Sequence, residues 1–78
     1  MIVEDDKAIR TTLTEAAGQA GYATTAVASG GAIALQAFKS DIFDVVVLDL
    51  ELSRERGIDL LDEMLGLQPR TAVIMLAA

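Results

Sequence analysis

The sequence predicts an open, doubly wound α/β domain built on a parallel sheet, and three observations carry that expectation. Within the stretch 44–50 (Asp-Val-Val-Val-Leu-Asp-Leu) the four residues 45–48, and likewise the run at 72–76 (Ala-Val-Ile-Met-Leu), are continuously apolar and rich in β-branched residues, as strands covered on both faces are. Three times between strand-like runs the apolar spacing changes to that of a helix. Every strand-like run except the last is followed by such a helix. This alternation calls for parallel strands, right-handed crossovers and helices on both faces of the sheet. The expected order is β-α-β-α-β-α-β.

Each element has its own warrant. Met1, Ile2 and Val3 read as the end of a strand whose start is cut short, and Glu4, Asp5 and Asp6 follow. Ile9, Leu13, Ala16, Ala17 and Ala20 then form one face of an amphipathic helix, stopped by Gly21, with acids at its start suiting the helix dipole. Residues 22–28 alternate weakly and contain Thr24, Thr25 and Val27, which predicts a short strand. Ser29 is placed to cap a second helix, whose face is Ile33, Ala34, Ala37 and Phe38. Residues 40–43 turn the chain into the run that ends near Asp49. A charged loop (Glu51, Ser53, Arg54, Glu55, Arg56) leads to Gly57 and a third helix. That helix carries two apolar stripes, Ile58, Leu61 and Leu65 on one and Leu60, Met64 and Leu67 on the other. Pro69 closes it before the last strand.

With 78 residues there is room for one domain, and the fraction of surface such a chain can bury is modest. Hydrophobic residues make up 53%, yet there is no Trp, so the core must come from Val, Ile, Leu and Ala, which suits close helix-on-sheet packing. Twelve acidic against six basic residues leave a net charge of −6, which argues against a nucleic-acid or anionic membrane surface. The longest apolar run falls far short of the roughly 18 residues that span a bilayer. No cysteine is available for a disulfide or a thiolate metal site, and the N-terminal segment has no signal-peptide pattern. The expectation is a soluble, cytoplasmic chain.

In a parallel sheet all strand C-termini share one edge. With strand order 2-1-3-4 the first and third strands are neighbours, and the chain reverses direction between them, which opens a ligand crevice. Glu4 and Asp5 at one strand end would there meet Asp49 at the other. Like charges so close raise one another's pKa, and a hard divalent cation relieves the repulsion. Mg²⁺ suits one or two carboxylates plus waters and phosphate oxygens, and a carboxylate beside it can attack phosphorus to give an acyl phosphate. Taken singly, Glu4-Asp5-Asp6 reads as helix caps and Asp49 as a turn residue; their placement on adjacent strand ends favours a metal site. Ser29-Gly30-Gly31 lacks the spacing of a phosphate-binding loop and reads as turn and cap. Arg54, Glu55 and Arg56 read as a solvated loop.

At this point the residues resemble a family. Met1-Ile2-Val3-Glu4-Asp5-Asp6, Val46-Val47-Leu48-Asp49-Leu50 with Leu52 and Gly57, and Val73-Ile74-Met75-Leu76 resemble the receiver domain of two-component response regulators. Gly21-Tyr22 and Ala34-Leu35 fit its pattern too, and the resemblance covers residues 1–78 in one register. It implies a flavodoxin-like (βα)₃β arrangement and a non-enzymatic signalling role in which Asp49 accepts a phosphoryl group from a sensor histidine kinase. It further implies Mg²⁺ held by Glu4, Asp5, Asp49 and the backbone carbonyl of Glu51.

Four departures from that pattern stand out. Ala77 occupies the place of a Ser or Thr whose hydroxyl binds the phosphoryl group. The lysine after a fifth strand is absent, together with that strand and the last two helices, so the domain is expected to be incomplete at its C-terminus. Ser53 replaces a proline, and the first strand begins late. These departures predict an impaired switch, and a different reading in which the chain is a pseudo-receiver serving only protein interaction or dimerisation. They also predict that residues 72–76 form an apolar edge able to pair with a second copy or exchange segments. A haloacid-dehalogenase-type hydrolase ranks last, because its Asp-x-Asp motif with a nearby Thr is missing.

Overall fold

The computed structural model describes residues 1–24, 26–52 and 56–76. The elements are β1 (Ile2–Val3), α1 (Lys7–Gln19), β2 (Val27–Ala28), α2 (Gly31–Ser40), β3 (Val45–Asp49), α3 (Gly57–Leu67) and β4 (Ala72–Leu76). All strands run parallel in one sheet ordered β2-β1-β3-β4, the expected doubly wound topology.

The register sorts the strand residues into two rows, because paired residues point to the same face. Val27, Ile2, Val47 and Ile74 lie side by side on one face; Ala28, Val3, Leu48 and Met75 lie on the other. The chain steps from β1 outward to β2, then back across β1 to β3 and on to β4. Right-handed crossovers therefore place α1 on one face and α2 with α3 on the other. The second face holds the core: Val3, Ala28, Val46 and Leu48 pack with Ala34 and Phe38 of α2 and Leu60 and Met64 of α3. Phe38 and Phe43 stack, ring centroids 5.3 Å apart, at the bottom of that layer.

The face under α1 is covered unevenly. Ile2 is buried, but Val27 and Ile74 on the same row are about half exposed, and α1 itself has no fully buried residue among those described. The expectation of a third strand buried on both faces is corrected accordingly: Val46 and Leu48 are buried, whereas Val45 and Val47 are only half-buried. On α3, Leu60 and Met64 face the core while Leu67 of the same stripe is partly exposed; of the second stripe Ile58 is partly exposed, Leu61 packs against the edge of the core and Leu65 is half-buried.

Two further local expectations are corrected. The second strand is limited to Val27–Ala28, since only those residues pair with β1, and Tyr22 is exposed; Thr25 lies outside the described residues. Gly30, not Ser29, is the N-cap of α2, with no side-chain capping bond. Gly21 does end the first helical segment, at φ +92°, a left-handed conformation that glycine adopts without steric cost.

At the edge formed by the strand N-termini, one side chain joins three segments. The Gln68 amide donates to the Phe38 and Asp41 carbonyls (3.0 and 2.6 Å) and accepts from the Phe43 N–H and the Thr71 hydroxyl (both 3.0 Å). The single Thr71 hydroxyl proton is shared with the nearer Phe43 carbonyl, at 2.8 Å. The end of α2, the start of β3 and the start of β4 are thereby held together, which sets the pairing at the opposite edge.

Candidate functional site: an acid cluster at the strand C-termini

The site is made by two strand ends. Glu4 follows β1, and its N–H continues the ladder to the Ala28 carbonyl at 3.0 Å. Asp49 is the last residue of β3, whose pairing with β4 holds to that residue. Because β1 and β3 are neighbours, one carboxylate oxygen from each of Glu4, Asp5 and Asp49 falls within 4.8 Å of the others. Glu4 is buried, while Asp5 and Asp49 are half-buried, so the cluster has one walled side and one side open to solvent.

The third acid of the run has a different task. Asp6 caps α1, accepting the Ile9 N–H at 3.1 Å, and its own N–H donates to Glu4 Oε1 at 3.2 Å. The run therefore divides: Asp6 is the helix cap that acids at this place commonly are, and Glu4 and Asp5 join Asp49. On the other strand end, Asp49 Oδ1 accepts the Glu51 N–H at 2.9 Å, which orients the carboxylate. Gly57 closes the turn behind it with a hydrogen bond to the Leu50 carbonyl at 3.1 Å. A Cβ on Gly57 would stand 2.5 Å from both the Asp49 carbonyl oxygen and the Leu50 Cα, so only glycine lets α3 start this close to the acceptor.

Electrostatics follow from this packing. Burial pushes the Glu4 carboxyl above its ordinary value, Asp49 and Asp5 push it further in the same direction, and the Asp6 N–H opposes them. The donor set is all hard oxygen on two rigid strand ends, with one side accessible. That is the chemistry of a small, hard divalent cation, and the residues fit one. Glu51, expected to contribute its carbonyl, lies next to this cluster in sequence and bridges to Arg56 across the turn. Ser53 and Ala77, two of the positions that depart from the expected pattern, lie outside the described residues, as do Arg54 and Glu55 of the loop.

One contact at this turn was not anticipated from the sequence: the Arg10 guanidinium donates to the Glu4 main-chain carbonyl at 2.8 Å. The spacing held a signal, since Arg10 is four residues after Asp6 and so sits one helical turn above the cap, on the side of the acid turn.

The whole chain, residues 1–78, matches the family model for the response regulator receiver domain. The chain belongs to that family. Among its relatives is the chemotaxis protein CheY of Thermotoga maritima, 28% identical over 78 residues, which are 100% of this chain and 65% of that protein. The response regulator TrrA of Thermotoga maritima, solved in complex with Mg²⁺ and beryllium fluoride, superposes with a TM-score of 0.90 at 31% identity, over 99% of this chain and 66% of that one. A Burkholderia pseudomallei response regulator, solved with a phosphorylated aspartic acid, a calcium ion and citrate, gives 0.88 at 25% identity, over 97% and 44%. This receiver chain spans between 20% and 65% of the lengths of the curated relatives it matches.

Proposed function

We propose that this receiver chain is a phosphoacceptor of two-component signalling, with Asp49 taking a phosphoryl group from the phosphohistidine of a sensor kinase in the cytoplasm. The observation that carries the reading is the convergence of Glu4, Asp5 and Asp49, with Asp49 at the tip of the central strand. Glu4, Asp5, Asp49 and the Glu51 carbonyl would hold Mg²⁺, which when bound supplies positive charge to the transferring phosphoryl oxygens.

The chain's own residues do the rest. An Asp49 carboxylate oxygen attacks phosphorus, the bond from phosphorus to the histidine nitrogen breaks, and an acyl phosphate remains on Asp49. The Glu51 N–H, already on Asp49 Oδ1, fixes the carboxylate so that the attacking oxygen is presented rather than searched for. Buried Glu4 keeps one side of the cluster closed to water. The chain receives one group and does not turn over substrate, so it is a substrate of phosphotransfer and not an enzyme in its own right.

In the sequence, Ala77 stands where the family pattern has a hydroxyl-bearing residue, and this supports a second reading: the acceptor survives while the readout of its phosphorylation is impaired. One experiment separates these from a bare interaction module. The chain is incubated with Mg²⁺ and acetyl phosphate and its intact mass is measured. A single phosphoryl adduct, absent in Asp49→Asn, is expected; no adduct in the parent overturns the phosphoacceptor reading and leaves the pseudo-receiver.

A further inference from the structure

We infer that Arg10 is a positioning residue for the acid cluster, holding the Glu4–Asp5 turn in the shape that lets it share a cation with Asp49. The inference rests on reading that cluster as a cation site. Strand β1 has only two residues, so the ladder secures Glu4 through its N–H but leaves its carbonyl past the last β-pairing. From that carbonyl the backbone must turn within two residues from strand to helix cap, and the turn carries two of the three converging carboxylates. The group that receives the Glu4 carbonyl is the Arg10 guanidinium, at 2.8 Å. Arg10 is itself fixed, because its N–H bonds to the Asp6 carbonyl at 2.9 Å as part of the first turn of α1. The strand end, the turn and the helix start are closed into one unit by a side chain that is half-buried.

Charge alone would not place an arginine here. A cation beside a cation site repels the ion, so on Coulomb grounds Arg10 weakens binding. Its tether acts oppositely, as groups behind metal ligands do when they orient them, an effect of about ten- to a hundredfold in affinity. The two contributions have opposite signs, and that makes the role measurable.

The test compares Arg10→Ala and Arg10→Lys with the parent chain. Mg²⁺ affinity is followed by titration, and amide exchange is followed at Asp6, whose N–H donates to Glu4. If Arg10 positions the turn, Arg10→Ala binds Mg²⁺ about tenfold more weakly in spite of losing a repelling charge. Asp6 exchanges faster in that variant without metal, and Arg10→Lys, which can still donate to one carbonyl, restores both. Exchange at Val47 in the sheet stays as in the parent, which excludes general unfolding. Tighter or unchanged Mg²⁺ binding in Arg10→Ala overturns the inference, as does unchanged Asp6 exchange. Should the parent itself bind no Mg²⁺, the cation reading of the cluster fails, while metal-free exchange at Asp6 still decides whether Arg10 holds the turn.

Discussion

At the scale of single residues, Glu4 shows how the site's cost and its use are linked. A carboxyl whose folded-state value is raised binds more protons in the folded than in the unfolded chain. Its contribution to stability is therefore greatest below its ordinary value of 4.5 and is lost as pH rises through the raised value. At neutral pH the ionised Glu4 is a burden on the metal-free fold. Glu4→Gln is expected to raise the urea midpoint of the metal-free protein at pH 7, with the gain fading toward pH 4, and to weaken Mg²⁺ binding at least about tenfold. A lower midpoint at pH 7 would show that Glu4 is not burdened in this way. The sequence revealed which acids could meet. It could not reveal which of them would cap α1, because Asp5 and Asp6 differ only in where the helix begins, nor could it reveal the Arg10 contact.

At the scale of elements, apolar pattern and composition located the three helices and four strands found among the described residues, because those patterns are what the core selects. It failed where packing, not pattern, decides the outcome. Residues 22–28 have strand-like composition, but only Val27 and Ala28 find a partner on β1. Gly57 fits the family pattern in sequence, but the reason for it is legible only in three dimensions, since its need is set by the backbone of Asp49 and Leu50 rather than by its own conformation. Gly57→Ala should cost about 1–3 kcal/mol in urea denaturation, in the range for overpacked sites, and should displace the turn behind the acceptor. A loss within 0.5 kcal/mol or so, the usual result at surface positions, would mean that α3 shifts without strain.

At the scale of the whole molecule, the strand order was readable because alternation and handedness leave few topologies, whereas the unequal cover of the two faces was not. Among the described residues β4 pairs only with β3, and its Ile74 and Met75 are half exposed. An apolar strand with one free side is a template for a further strand, and we expect this 78-residue chain to associate through it. Sedimentation velocity should show concentration-dependent association, and Ile74→Lys should suppress it with a stability change within about 0.5 kcal/mol. A parent that stays monomeric at high concentration would count against the edge as a contact.

The Gln68 junction has a consequence for where chemistry can occur on this chain. A carboxamide has two N–H donors and an acceptor oxygen, and at Gln68 both donors and the oxygen are engaged within the protein. A cleft opens beside it, between Phe38, Ile42, Phe43 and Leu67, and the carboxamide on its wall is already engaged within the protein. At the opposite rim, carboxylate oxygens of Glu4, Asp5 and Asp49 lie within 4.8 Å of one another. The two rims therefore differ in kind: at the lower one Gln68 is engaged in the chain's own hydrogen bonds, and at the upper one three carboxylate oxygens converge.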